Sequence, residues 1–161
     1  MKVRVFSYKG KRKDNDNWVS GSALTNEDGG CVILNRNNEG DITSYEVNPE
    51  TICLATGKTD KNGTEVFTED FIKVLYSSGQ ALFGIVKYGS AQEYPFITPN
   101  EYNTSPGFHI DWIDCNYDKE KNFNQRFAYW FFNRDIQIEV IGNSFDNPEL
   151  MKYTLPQYIF D

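Results

Sequence analysis

Ala55-Thr-Gly-Lys-Thr-Asp-Lys-Asn-Gly-Thr-Glu-Val-Phe-Thr-Glu-Asp-Phe-Ile-Lys-Val74 is the stretch from which the fold class is read. It has the layout of a strand end, a tight turn, a short strand, an acidic corner and a second strand. Lys61-Asn-Gly63 makes the turn, because Asn and Gly tolerate the positive φ angles of a two-residue hairpin. Apolar and β-branched residues then resume at Val66 and run through Phe71-Ile-Lys-Val74, as a half-buried pleated surface requires.

The same alternation of strand and turn extends in both directions. Val3 and Val5 oppose Lys2, Arg4 and Phe6, so a strand opens the chain. Lys9-Gly-Lys-Arg-Lys13 and Asp14 to Asn17 form its turn, and Trp18-Val-Ser begins the return. Cys31-Val-Ile-Leu34 and Ile42 to Val47 form a hairpin around Asn35 to Asp41. Pro49 ends that pair. Downstream, Phe71 to Tyr76 pairs with Ala81 to Tyr88 across Ser77-Ser-Gly79. Further strands are expected at Ile110 to Tyr117 and Asp135 to Ile141, with strand or short helix at Arg126 to Phe132. A short helix is expected at Pro148 to Tyr153, with Asn147 accepting backbone N–H groups and Pro148 presetting φ at the first helical position. Pro95, Pro99 and Pro106 punctuate an irregular insertion at about 90–125.

Composition agrees. Aromatic residues are 16% of the 161, and large flat side chains favour sheets over bundles. A chain of this length buries roughly 70% of its unfolded surface and is expected to form one domain, 1–161, without disulfide or metal. The three cysteines, Cys31, Cys53 and Cys115, show no CxxC spacing, so free buried thiols are expected. No leader and no apolar run of spanning length is visible, which places the expected protein in the cytoplasm, with no membrane partner.

A second stretch, Ile138-Glu-Val-Ile-Gly-Asn-Ser-Phe-Asp-Asn-Pro-Glu-Leu-Met151, combines with the first to make a specific pattern. Together they resemble the YopX family of phage and prophage proteins. Thr56-Gly57, Asp60-Lys-Asn-Gly63 and Asp70-Phe-Ile-Lys-Val74 match its first motif, and Glu139 to Asn143 with Asn147 to Leu150 match its last. The opening strand is similar too. The chain departs at Leu54-Ala55, where the family has Gln-Tyr, and at Thr68-Glu69, where it has Glu-Gly. Losing that glycine means the corner is built without a residue that adopts positive φ freely. The matched segments cover under half of the chain, and Ser90 to Gln125 carries no signature. The resemblance implies a phage- or prophage-encoded accessory protein in a bacterial or infected cell.

The expected fold is therefore mainly β, α+β at the margin, with a small barrel-like, SH3-like antiparallel core and a short C-terminal helix. The expected function is a non-enzymatic binding module, with a protein partner or a second copy of itself. Its candidate contacts are Tyr129, Trp130 and Phe131, within an aromatic run too dense for one strand face to bury, and Glu69 and Asp70, which with Asp60 would make an exposed acidic cluster. Tyr and Trp are enriched at such interfaces. The alternative is nucleic-acid binding through Lys11, Arg12, Lys13 and Trp18, by phosphate contact and stacking. The net charge of −7 opposes it, because such affinity rests on neutralising phosphates.

Enzyme chemistry finds little support. His109 is the single histidine, with Asp111 on its strand face but no nucleophile elbow beside it. Asn35, Asn37, Glu39, Gly40, Ile42 and Glu46 fall at calcium-loop spacing, yet Asn stands where the first carboxylate belongs and the flanks read as strands. No catalytic residue, metal ligand or cofactor is assigned.

Overall fold

β-Branched and aromatic residues set between Asn-, Asp- and Gly-rich turns build almost every element of the protein. The computed structural model describes residues 7–77, 79, 81–90, 106–113 and 136–152. The chain divides into two compact units, 1–57 and 58–161.

The first unit contains β1 (Tyr8–Lys11), β2 (Trp18–Thr25), β3 (Cys31–Arg36), β4 (Ile42–Val47), a 3₁₀ turn (Pro49–Thr51) and most of β5 (Cys53–Thr59). β1 to β4 pair antiparallel in succession, and β1 also pairs with β5. Asn side chains close the connections. The Asn37 Oδ1 accepts the Glu39 and Asp41 N–H groups, so the near-calcium spacing is a hairpin loop. Asn48 Oδ1 accepts from the Glu50 N–H at the head of the 3₁₀ turn, as short polar caps do. Cys31, Ile33 and Val47 form the core, with Val19, Ala23 and Ile52 against it. Two glycines permit this packing. A Cβ on Gly10 would lie 2.9 Å from Ile52 Cδ1, and one on Gly21 would lie 2.1 Å from the Leu34 carbonyl oxygen.

The second unit contains β6 (Glu65–Phe67), β7 (Asp70–Tyr76), β8 (Ala81–Ser90), β9 (Pro106–Trp112), β10 (Ile136–Asn143) and a 3₁₀ turn (Pro148–Lys152). Its antiparallel sheet has the order β10-β7-β8-β9. Residue alternation sends Ile72, Val74, Val86, Ile110 and Ile138 to one face, with Val66 packed among them. Phe71 and Ile85 occupy the other face, joined by Ile113 and Leu150.

The structure is mainly β, and it revises the expected barrel. Within the first unit the strand order is β4-β3-β2-β1-β5, with β4 at one end. A single bridge, Arg12 to Val47, ties the end of β1 to β4. The first unit's sheet is thus open rather than a closed barrel, because this bridge is too short to continue the ladder.

Other local revisions follow. β1 takes in Lys9 to Lys11, which the sequence reading put in a turn; residues 1–6 lie outside the described residues. Residues 106–112, inside the expected irregular insertion at about 90–125, pair with β8 from Ser90 to Gly84. The C-terminal helix is a five-residue 3₁₀ turn. Cys31 and Cys53 are buried thiols outside any disulfide, and burial pushes the Cys31 thiol above its ordinary range. Among the described residues no helix is long and apolar enough to cross a membrane.

Candidate functional site

Three places hold the residues that the sequence singles out, and the structure treats them differently. The first is the corner where the two signature stretches meet. Asp60 closes its own hairpin: its backbone N–H donates to Thr64 O, and its Oδ1 accepts from the Asn62 and Thr64 N–H groups at 2.8 and 2.9 Å. Its Oδ2 accepts from the Val140 N–H, 80 residues away, at 3.0 Å. Lys61 continues the contact, with its N–H on Ile138 O and its ammonium 2.7 Å from Glu139. Burial raises the Asp60 carboxyl. Hydrogen bonds from Val140, Thr64 and Asn62 outweigh it and leave the group below the usual carboxylate range. This carboxylate is a structural acceptor that covers the outer edge of β10.

Glu69 stands where the resemblance leads one to expect glycine, and it adopts φ 67°. A Cβ in the left-handed region costs roughly 1–2 kcal/mol. The side chain compensates: its two oxygens accept from Lys87 Nζ at 2.6 Å and Ser144 Oγ at 2.8 Å. Its backbone bonds both neighbours of the corner, Val86 and Ser144. Asp70 is 1% exposed and accepts from the Phe67 N–H at 2.8 Å. Asp60 and Asp70 are therefore buried, and the exposed acidic cluster is corrected: short carboxylates beside turn N–H groups bond inward. Only Glu69 of the three keeps partial access, at 24% of its side chain.

His109 sits beside Lys87 in the ladder. Its Nε2 is 3.4 Å from Asp111 and its Nδ1 3.4 Å from the Gly107 carbonyl. An apolar recess of about 160 Å³, lined by Phe71, Phe83, Ile113, Ile141 and Leu150 among others, contains none of Glu69, Asp70 or His109. Asn147 differs in detail from expectation: its Oδ1 accepts from the Asn143 N–H rather than from its own helical turn.

The second place is the basic tip of the first unit. The Lys9 and Lys11 ammoniums lie 5.0 and 5.7 Å from the Trp18 ring centroid, and the Arg12 guanidinium lies 4.5 Å from that of Tyr45. Lys11, Arg12 and Lys13 each also meet a carboxylate. Lys11 is 3.5 Å from Asp16, Arg12 chelates Asp14, and Lys13 is 4.0 Å from Glu46. The hydrogen bond from Arg12 lowers the Asp14 carboxyl. The four residues named for nucleic acid are thus brought together, with their charge largely compensated.

The third place was not visible in the sequence reading. Ser22, Leu24, Val32, Leu34, Arg36, Ile42, Ser44 and Glu46 share the outer face of β2–β3–β4, as the pairings Leu24 to Val32, Val32 to Glu46, Leu34 to Ser44 and Arg36 to Ile42 require. Leu24 is 54% and Ile42 58% exposed. The period-2 spacing of these apolar residues was the available signal. Tyr129, Trp130 and Phe131 lie outside the described residues. Among the described residues, no group of three or more His, Cys, Asp or Glu side chains is placed to hold a metal ion.

Comparison with known proteins gives one positive result: a family model described as YopX protein matches residues 4–152. No curated protein and no solved structure matches the chain.

Proposed function

We propose, for a chain that belongs to the YopX family, that it is a phage- or prophage-encoded accessory protein acting in the cytoplasm as a non-enzymatic protein-binding module. The observation that supports this reading is the outer face of β2–β3–β4. A sheet with one buried face normally presents polar residues on the other. Here Leu24 and Ile42 are both more than half exposed, and Val32 and Leu34 lie between them. Two half-exposed apolar side chains, bridged by half-buried Val32 and Leu34 and rimmed by Arg36 and Glu46, have the apolar-centre, polar-rim layout of an interaction surface. Glu69, with its partial exposure, and the aromatic run Tyr129, Trp130 and Phe131 remain candidate contacts in the same reading.

The test is affinity capture of tagged protein from phage-infected or prophage-induced lysate, with and without nuclease. A stoichiometric protein that survives nuclease and is lost with Leu24→Asp is the expected result. Recovery that nuclease abolishes overturns it. That outcome favours the second reading, nucleic-acid binding at Lys11, Arg12, Lys13 and Trp18, for which the two ammoniums beside Trp18 are the supporting observation. Steep weakening by added salt would accompany it.

A further inference from the structure

We infer that β4 pairs edge to edge with β4 of a second copy of this chain, antiparallel about a two-fold axis at Thr43. This rests on the protein-binding reading and gives it a surface and an occupant.

Asn37 donates its N–H to Asp41 O at the hairpin end, so residues 41, 43, 45 and 47 direct their backbone groups toward β3. At the other end of β4, Lys13 donates to Glu46 O and Asn48 donates to Lys11 O. Residues 42, 44, 46 and 48 therefore direct theirs away from β3. The Arg12–Lys13 segment covers that outer edge from Glu46 onward. Ahead of it, the outward N–H and C=O groups of Ile42 and Ser44 have no protein partner among the described residues.

Unpaired edges invite a further strand, and proteins usually blunt them with charge, proline, a bulge or a covering segment. β10 shows such blunting, with Asp60 and Lys61 bonded along it. The open part of β4, Ile42-Thr-Ser-Tyr45, has no charge and no proline. Its pairing with β3 runs without a register shift.

A second copy fits this edge because the edge is self-complementary. With Thr43 facing Thr43 of the partner, Ile42 and Ser44 of each copy exchange both backbone bonds with Ser44 and Ile42 of the other. Pairing stops where Lys13 begins, so no existing bond is displaced. The outer face, on which Leu34 lies opposite Ser44 and Ile42 opposite Arg36, then continues across the axis, with the two Ile42 side chains as diagonal neighbours. Asp41 of each copy falls opposite Tyr45 of the other, on whose ring Arg12 sits. A C2 contact of this kind is closed and limits assembly to a dimer.

Two variants of the full chain test the inference. Facing residues of a non-hydrogen-bonded pair have Cα atoms about 4.5 Å apart, within the disulfide range of about 4.4–6.8 Å. Thr43→Cys is expected to give a covalent dimer on mild oxidation, while Ser20→Cys, exposed on β2, is not. Ser44→Pro removes an N–H that β3 does not use, a place where an edge strand tolerates proline. It is expected to weaken dimerisation in sedimentation equilibrium by about tenfold, since one bond per copy is lost. A wild-type chain that stays monomeric, with no cross-link through Thr43→Cys, overturns the inference. Self-association that ignores both variants also overturns it and places the contact elsewhere, leaving the protein-binding reading intact. Capture of a different protein by a monomeric chain would do the same.

Discussion

The signature corner and the basic tip use the same residue types to opposite effect. At the corner, Asp60, Lys61, Glu69 and Lys87 join segments up to 80 residues apart, and two carboxylates there are buried. At the tip, Arg12 meets Asp14 two residues on and Lys11 meets Asp16 five residues on, and both carboxylates are exposed. The corner carboxylates bond to backbone N–H groups that would otherwise be stranded. The tip pairs trade one hydrated state for another. What distinguishes them is the alternative open to each partner group: water at the tip, little or none at the corner.

The sharpest way to break this comparison is Asp60→Ala. It strips a charged acceptor from three backbone N–H groups and is expected to cost about 3 kcal/mol or more, read as a lower urea midpoint. The contrast fails if that variant is as stable as the wild type.

Acid should expose the same group. The Asp60 carboxyl is lowered on folding, so its contribution is complete above the unfolded pKa of about 4 and is lost as pH falls through the folded value. Asp60→Asn, which cannot titrate, should flatten the acid limb of the stability profile. An unchanged slope would show that other carboxylates govern it.

A smaller effect separates two substitutions at the corner. Glu69→Ala keeps the strained φ and loses both side-chain partners, for an expected loss of about 1–2 kcal/mol. Glu69→Gly loses the same partners but releases the strain, so it should be the more stable of the two by about 1 kcal/mol. Thermal denaturation of both distinguishes them, and Ala above Gly would contradict the strained corner. Smallest of all, Lys13→Ala removes an exposed pair at 4.0 Å and should change stability by under about 0.5 kcal/mol, vanishing in salt.

The legible parts of this protein are those made by near neighbours. Asn62-Gly63, Gly79 and the Asn37 loop each declare a turn, and the strands between them follow from alternation. The matched signature at Glu139 to Leu150 placed β10 and the last turn within a residue or two. The missing glycine at Glu69 also announced an unusual corner, and that residue carries the positive φ. Asp60 and Asp70 misled because a carboxylate in a turn looks exposed until its acceptor role is seen. The open edge of β4 was hidden because Ile42-Thr-Ser-Tyr45 reads the same in an edge or an interior strand.

Residue order alone sufficed for the mainly β class, the family and the turns, since φ preferences and alternation act over a few residues. The spatial order of strands, the closing of the two signature stretches onto one corner and the choice of β4 as a bare edge arose from packing. Such features depend on which distant N–H groups and apolar faces each segment meets, and no local preference encodes that.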